Sequence, residues 1–507
     1  MTKVDANQSA NGSGLQEITH WLLPAGILYT LIYIVFWPAT YAIMDESSYM
    51  GLAYAFRQGT VYTDVAQITA AFTYPLSNGH TISQYPPGMS LVLAATSFLG
   101  WSFTLGTNLF VHLGIFATVA AILRQIHVPA RYAIFYLFHP TAVIYSRTVM
   151  SDLLASLLLT GAFYFLLRRQ AFGTGAFIGL STLVRNANIV AVVLFAFGAF
   201  LDESEGKLSE LRRKSTLISG LSTGLKIGLA ALPFYFLAFL YQQIFQEGGW
   251  ARFSNQLSFV HLFPNLLSYG LKLAILYPGM ILAPLLYRGR GRYTLRLVIY
   301  SFISLYSFYH FQDSTGSLLE SFVIGQRYML LIIPLLIVSY GAVLHQAISQ
   351  FRPGFQRPVA LFSVMVFLVL ALGSGLVHFR HQKYLNEQRA VRDALIAFVT
   401  KADTVVCNIH VGKLFHPGWG NVTRYKLMGG EATHEAAVKN ARQVLNEALT
   451  QNAGRIVLIN WSRDYRPETS KEQSLFADLV QEYQMTVIKP NTLNLPNEVQ
   501  IAVSDSR

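Results

Sequence analysis

Long runs of apolar residues fill the first three quarters of the chain. The first run extends from Trp21 to Ile43, and further runs lie near 131–147, 152–167, 216–240, 266–286, 294–311, 327–347 and 358–378. An α-helix needs about 20 apolar residues to cross the roughly 30 Å hydrocarbon core of a bilayer. The pattern therefore predicts a polytopic, all-α membrane protein with about eleven or twelve transmembrane helices.

Three apolar runs, 88–100, 174–185 and 187–201, are short for a crossing at a rise of about 1.5 Å per residue. The last two flank Arg185 and Asn186. We expect at least one of the three to be a partial or in-plane helix. Irregular backbone or an arginine at membrane depth is tolerated where it faces protein or a wet cavity, so the bundle should enclose a polar cavity.

Charged residues are scarce before residue 380 and frequent after it. Residues 380–507 hold 29 of the 64 Lys, Arg, Asp and Glu residues of the chain. The net charge of +12 comes from short basic clusters between apolar runs, which fits cytoplasmic loops and not nucleic-acid binding. The basic clusters are Arg124/Arg131, Arg168/Arg169, Lys207 to Lys214, Arg288 to Arg296 and Arg352/Arg357.

These clusters orient the chain in the membrane. Placed in the cytoplasm, they leave the hairpin tips at 147–152, 246–265 and 312–326 on the opposite face, where the last helix also exits. The predicted domains are a cytoplasmic tail (1–20), a transmembrane domain (21–379) with a first external loop (44–87), and a soluble extracytoplasmic domain (380–507). The first helix is expected to stay uncleaved, since no basic segment precedes it.

Local signals refine this outline. In the external loop, Tyr49, Leu52 and Phe56 recur at helical spacing before Gly59, which predicts a short interfacial helix. His139-Pro140 predicts a kink inside an apolar helix. Strand-like runs at 404–409, 455–460, 485–488 and 499–503, with helical runs near 384–400, 434–451 and 471–484, predict a small α/β domain. The single cysteine, Cys407, excludes an intramolecular disulfide.

Polar residues at the external ends of these helices are the candidates for chemistry. Asp45-Glu46 follows the first apolar run, and Asp152 opens a later one. Either member of the first pair could simply cap the interfacial helix, and Ser151 or Asp152 could cap the other. Arg327 could reach the headgroups, Arg185 could be a loop residue, and Arg147 could pair with Asp152.

Four stretches appear together in one order: Asp45-Glu46 with Tyr49, then Tyr85-Pro86-Pro87-Gly88, then Tyr145 to Asp152, then Arg327-Tyr328. This order resembles the GT-C glycosyltransferases. More narrowly, it resembles the branch with glycosyltransferase family 39, the protein mannosyltransferases and the aminoarabinose transferases. The resemblance covers roughly residues 20–350. It implies transfer of a sugar from a polyprenyl-phosphate carrier to an acceptor outside the cytoplasm, with an acidic residue of the first external loop as base.

The resemblance gives each candidate an expected role. The catalytic candidates are Asp45 as general base, Glu46, and Asp152 as a residue that orients the acceptor. The candidate ligands of the donor phosphate are Arg327, Arg147 and Arg185, and the candidate substrate contacts are Tyr85, His80 and Tyr328; simple loop packing is the alternative for His80 and Tyr85. This chemistry requires a carboxylate to take the acceptor proton and cationic donors to hold the phosphate.

Other expectations follow from the same resemblance. No cofactor is required, but Asp45 and Asp152 could share a divalent metal such as Mg²⁺ or Mn²⁺. The partners are the polyprenyl-phosphate sugar, membrane lipid and an acceptor glycan, lipid or protein, and the location is a bacterial inner membrane with the site facing the periplasm or exterior. A transporter or flippase is the alternative. Transporters usually show repeated halves and midplane charges, whereas the acidic residues here cluster at one interface.

Overall fold

The computed structural model describes residues 18–64, 73–206, 214–247, 257–309, 318–350, 353–415, 425–428, 434–451, 454–461 and 469–504. Most of the described chain is helical, in agreement with the apolar pattern. The first ten helices are α1 (Leu23–Val35), α2 (Met44–Arg57), α3 (Pro87–Thr96), α4 (Trp101–Thr104), α5 (Thr107–Gln125), α6 (Ile134–Leu137), α7 (Pro140–Ser146), α8 (Ser151–Leu167), α9 (Ala171–Val184) and α10 (Val190–Glu203).

The remaining helices are α11 (Lys214–Phe245), α12 (Phe259–Leu276), α13 (Ala283–Leu286), α14 (Arg292–Ser307), α15 (Leu318–Ile324), α16 (Ile333–Gln350), α17 (Pro353–Phe398), α18 (Ile409–Gly412), α19 (His434–Gln451) and α20 (Thr469–Glu482). Short 3₁₀ turns include Ala130–Ala133, Asn186–Ile189 and Arg327–Leu331. The strands are β1 (Thr73–Pro75), β2 (Thr81–Ser83), β3 (Thr404–Asn408), β4 (Tyr425–Met428), β5 (Ile456–Trp461), β6 (Thr486–Ile488) and β7 (Val499–Val503).

The chain is an integral membrane protein. Within the described ranges, five helical segments are long and apolar enough to cross a bilayer: Trp101–Gln125, Asn186–Glu203, Ser215–Phe245, Phe259–Leu276 and Ile333–Gln350. A sixth results if α7 and α8, which meet at 119°, form one broken span. The apolar side chains along α11 and α12 are mostly exposed, as lipid-facing side chains are. The total of eleven or twelve spans stays a prediction.

Glycine allows three of the helices to pack closely. A Cβ on Gly88 of α3 would lie 2.7 Å from the Leu183 carbonyl oxygen at the end of α9. A Cβ on Gly175 of α9 would lie 2.2 Å from the Ile227 carbonyl oxygen of α11. Neither distance is possible for a side chain, so these two glycines bring α3, α9 and α11 into backbone contact.

Several predicted boundaries differ from the structure. The first apolar run is helical only to Val35, and 37–43 are irregular. The run 131–147 is broken at Phe138–His139, which confirms the predicted kink. The run 266–286 begins earlier, at Phe259, and is interrupted after Leu276. Asn186–Glu203 is long enough to span, contrary to expectation, because the 3₁₀ turn extends α10.

The greatest difference concerns the exit from the membrane domain. The runs 358–378 and 384–400 are one 46-residue helix, α17, so the boundary expected near residue 380 lies inside a helix. The change from apolar to polar composition near residue 380 indicates a change from lipid to water around the chain. It does not indicate the end of a helix, because apolar and polar residues can belong to the same helix. The segments predicted as tips at 246–265 and 312–326 lie partly outside the described residues.

The C-terminal domain has a mixed five-stranded sheet in the order β4-β3-β5-β7-β6. Strand β3 is parallel to β4 and β5, whereas β7 is antiparallel to β5 and β6. The four predicted strands and helices α19 and α20 are confirmed, and β4 was missed. One face of the sheet packs on the end of α17, and the other packs on α19 and α20.

Candidate active site

Helix α2 presents Asp45 and Glu46 in its first turn. Ile43 before it is extended (φ −120°, ψ 145°), and the side chain of Glu46 reaches back to the N–H of Ile43. This is one half of a capping box, because isoleucine has no side-chain acceptor to complete it; the Glu46 carboxylate satisfies the Ile43 N–H where the helix starts. Gly59 stops the helix region with φ +74°, as its position predicted. The cap leaves the neighbouring Asp45 free to point elsewhere.

Asp45 belongs to a chain of alternating charges. The Arg327 Nη2 atom lies 2.8 Å from the Asp45 Oδ2 atom, and the Arg327 Nε atom lies 3.2 Å from the Asp152 Oδ2 atom. Arg185 forms an ion pair with the other oxygen of Asp152. We name these four residues, Asp45, Arg327, Asp152 and Arg185, the charge cluster. Two carboxylates and two guanidinium groups give it no net charge.

Three breaks in regular structure bring the charge cluster together. Asp152 stands in the first turn of α8, where a carboxylate interacts favourably with the helix dipole. Arg185 is the extended residue between α9 and the next 3₁₀ turn (φ −146°, ψ 116°), and Arg327 begins the 3₁₀ turn before α16. Asp152 is fully buried, while the side chains of Asp45, Arg327 and Arg185 are 13%, 13% and 14% exposed.

Tyrosine rings line the basic end of the charge cluster. Tyr306 and Tyr328 are stacked at 4.9 Å with an interplanar angle of 9°, and Tyr309 meets Tyr328 edge-on at 5.1 Å. The guanidinium carbon of Arg185 lies 5.6 Å from the Tyr306 ring centre and 5.4 Å from that of Tyr328. Such cation–π contacts hold a guanidinium without neutralising it. Tyr306 and Tyr309 carried no sequence signal that separated them from the other tyrosines.

A second pair of rings lies beside the acidic end. Tyr85 stacks on Tyr49 at 4.6 Å, and the Tyr49 hydroxyl is 2.8 Å from the Ser151 hydroxyl, next to Asp152. Helix α2 is thereby tied to the start of α8. Tyr85 thus adjoins the charge cluster through Tyr49, and Tyr328 contacts it directly.

Glu46 faces away from the charge cluster into backbone. Its Oε1 atom accepts the N–H groups of Ala42 at 2.7 Å and Ile43 at 2.8 Å, and its Oε2 atom accepts the N–H of Val149 at 2.8 Å. Burial raises the pKa of Glu46 to about 7, and the three hydrogen bonds and Lys413 oppose that rise. Glu46 therefore has the capping role that was one of its two predicted alternatives. It also joins the segment before α2 to the loop before α8.

Two further predicted residues, Arg147 and His80, have partners away from the charge cluster. Arg147 does not pair with Asp152: it donates to the Nδ1 atoms of His378 at 3.0 Å and His381 at 3.1 Å, and to Gln382, all on α17. Exposed His80 pairs with Asp64 at 3.0 Å. Sequence reasoning missed the α17 contacts because they join residues more than 230 positions apart.

The charge cluster is not arranged as a metal site. Arg327 occupies the position between the two carboxylates that a shared divalent cation would need, and a guanidinium and a cation exclude each other there. In the part of the chain that the structure describes, no three His, Cys, Asp or Glu side chains come together as metal ligands. The expected role of Asp45 and Asp152 toward Mg²⁺ or Mn²⁺ stays a prediction.

The fold matches known membrane proteins along most of its length. The structure of ArnT from Cupriavidus metallidurans bound to undecaprenyl phosphate matches with a TM-score of 0.61 over 96% of this chain and 98% of that chain, at 13% identity. The chain has the GT-C fold. The apo oligosaccharyltransferase from Archaeoglobus fulgidus matches with a TM-score of 0.51 over 86% and 69%, at 11% identity.

A second structure of the Archaeoglobus enzyme AglB, in complex with an inhibitory peptide and a dolichol-phosphate, also matches with a TM-score of 0.51, at 11% identity over 92% and 73%. No protein-family model and no curated protein matches the sequence. At these identities the likeness establishes the fold. It confirms the expected architecture, a helical GT-C membrane domain with a small C-terminal sheet domain.

Proposed function

We propose that the chain is a glycosyltransferase that moves a sugar from a polyprenyl-phosphate-linked donor to an acceptor hydroxyl on the extracytoplasmic face. The observation that carries the proposal is the charge cluster, in which the partly exposed Asp45 at the start of the interfacial helix α2 pairs with Arg327, and the buried Asp152 pairs with both Arg327 and Arg185. The GT-C fold and the bound undecaprenyl phosphate in the ArnT structure support a lipid-linked donor.

Asp45 is the proposed general base. Its carboxylate takes the proton of the acceptor hydroxyl as the oxygen forms a bond to the anomeric carbon of the sugar. The bond from that carbon to the phosphate oxygen breaks, and the electron pair leaves with the polyprenyl phosphate. The leaving group is already a stable anion, so it requires no general acid. Asp45 is preferred to Glu46 because Glu46 is fully committed to three backbone N–H groups.

Arg327 and Arg185 are the proposed ligands of the donor phosphate. A guanidinium has five N–H donors in a fixed plane, which suits it to binding phosphate oxygens. Asp152 orients both arginines from its buried position. Arg147 is less suited to this role than its position in the sequence implied, because its guanidinium donates to α17.

The aromatic residues are proposed substrate contacts. Tyr328 stands between both arginines, and Tyr85 lies beside α2, so both border the space where a sugar would sit. His80, paired with Asp64 in the external loop, would meet only a large acceptor. We place residues 21–379 in the membrane as the catalytic domain and the sheet domain after α17 outside the cytoplasm, in a bacterial inner membrane.

The test is sugar transfer in native membranes supplied with a panel of polyprenyl-phosphate sugars and acceptor-containing extract. Asp45→Asn keeps the size of the side chain and removes the base, so we expect transfer to fall by about 10²- to 10⁴-fold. Asp478→Asn, on an exposed position of α20, is the matched control and should transfer at the wild-type rate. Transfer by Asp45→Asn at the wild-type rate would refute the assignment of the base.

A further inference from the structure

We propose that Lys413 and Tyr384, which follow the membrane domain, are positioning residues that hold the backbone before Asp45 in its reactive place. This inference rests on the proposed function of Asp45. It assigns to the C-terminal part of the chain a role in the reaction. Neither residue touches the charge cluster; both act through the irregular segment 37–43 that leads into α2.

One peptide group is held from both of its ends. The carbonyl oxygen of Ala42 accepts the Tyr384 hydroxyl at 3.1 Å and the Lys413 ammonium at 3.4 Å. The N–H of Ile43, in the same peptide group, donates to Glu46 at 2.8 Å. This peptide group lies two residues before Asp45. A rotation of it would move the start of α2, and the two sets of bonds oppose that rotation from opposite sides.

Lys413 is an unusual residue to find in such a place. Its side chain is buried at 2% exposure, and its ammonium also donates to the Tyr384 hydroxyl at 3.2 Å. Burying an ammonium is costly unless a negative charge is near. Above a pH of about 7, where it is ionised, the Glu46 carboxyl supplies that charge from the far side of the Ala42–Ile43 peptide group. The two buried charges and the peptide group between them form one unit, which links the C-terminal domain to α2.

A second bond secures the same segment. Arg392, two turns further along α17 than Tyr384, donates to the carbonyl oxygen of Ala39 at 3.0 Å. Because α17 is continuous from Pro353 to Phe398, it carries these side chains on a rigid rod that starts in the membrane domain. The bond from Arg147 to Gln382 fixes that rod beside the loop before α8. Side chains of α17, together with Lys413, therefore hold the segment before Asp45.

The test separates positioning from simple stability. Lys413→Met keeps the length of the side chain and removes the charge, and Tyr384→Phe keeps the ring and removes the donor. Each should lower kcat by about tenfold with KM for the donor unchanged, because a misplaced base loses rate and not binding. Lys439→Met, at an exposed position of α19, is the matched control and should keep the wild-type kcat and KM.

Hydrogen exchange at Ala42 and Ile43 tests the inference without activity. Exchange at these amides should accelerate in Lys413→Met and Tyr384→Phe and stay at the wild-type rate in Lys439→Met. Unchanged exchange with unchanged kcat would overturn the inference. A raised KM at constant kcat would also overturn it, since it would place these residues in substrate binding. If Lys413→Met fails to fold, Tyr384→Phe decides. If the wild type transferred no sugar but amide exchange was still faster in the variants, only the proposed function would be refuted.

Discussion

Glu46→Gln tests the site most sharply, because the structure predicts both the size and the pH dependence of its effect. Wild-type Glu46 offers one oxygen to Ala42 and Ile43 and the other to Val149. A glutamine retains one oxygen. Its better orientation keeps the first two N–H groups satisfied and turns its NH₂ toward the N–H of Val149. Two donors then face each other in a buried place, at a cost of about 1–3 kcal/mol.

Ionisation of the wild-type carboxyl changes this cost with pH. Burial raises the pKa of Glu46 from its ordinary 4.5 to about 7, so the folded protein favours the protonated form. The stability that Glu46 contributes is fully present below pH 4.5 and is lost as the pH rises through 7, by about 3 kcal/mol in total. Glutamine does not titrate. The loss of stability in Glu46→Gln relative to the wild type should therefore be largest at pH 5 and should vanish or reverse by pH 8.5.

The assay is hydrogen exchange at the amides of Ala42, Ile43 and Val149, because local opening that exposes Glu46 releases these three N–H groups. At pH 5 their protection should fall by about 10- to 100-fold in Glu46→Gln, the equivalent of about 1.4–2.7 kcal/mol. At pH 8.5 the wild type and the variant should converge. Glu498→Gln, at an exposed position, is the control. If the loss of amide protection in Glu46→Gln instead grew with pH, it would refute the raised pKa of the buried Glu46 carboxyl.

Three other changes have effects that the structure predicts. Arg327→Lys should lower kcat/KM of sugar transfer by about tenfold or more, because a point charge cannot bridge two carboxylates as a guanidinium does. Arg124→Lys, in the last turn of α5, should leave kcat/KM unchanged. Gly88→Ala should lower the free energy of unfolding by about 1–3 kcal/mol, since its Cβ would meet the Leu183 carbonyl oxygen, whereas Gly373→Ala should not, since nothing lies within 4 Å there. Burial raises the pKa of the Cys407 thiol, so maleimide labelling of the native protein at pH 7 should be slow, and unfolding should make it fast.

The sequence was sufficient for the architecture but not for the helix ends. Hydrophobic length predicted a membrane bundle, and alternation predicted four of the five strands of the C-terminal sheet. The end of α1 at Val35 was missed because 36–43 remain apolar while leaving the helix. The irregular segment 37–43 is as apolar as the end of a membrane helix. It is distinguished by its tertiary contacts with Glu46, Tyr384 and Lys413.

The site residues were recognisable because charges are rare in this part of the chain, but their partners were not. Sequence reasoning named Asp45, Asp152, Arg185 and Arg327, which the structure brings into one cluster. It also named Arg147, which binds α17 instead, and it preferred Asp45 as the base but left open which of Asp45 and Glu46 caps the helix. Two adjacent positions at the start of a helix differ by about 100° in direction, so the deciding information lies in what surrounds the helix.

The balance of charge in the cluster has a consequence for the order of events in the proposed reaction. Arg327 and Arg185 are already neutralised by Asp45 and Asp152, so a donor phosphate must compete with these carboxylates for the same guanidinium groups. Asp152 is fully buried and bound to both arginines, whereas Asp45 is partly exposed and bound to one. The phosphate therefore displaces Asp45 more readily than Asp152. Binding of the donor would then release the carboxylate that takes the acceptor proton, so the base becomes available only when the sugar is in place.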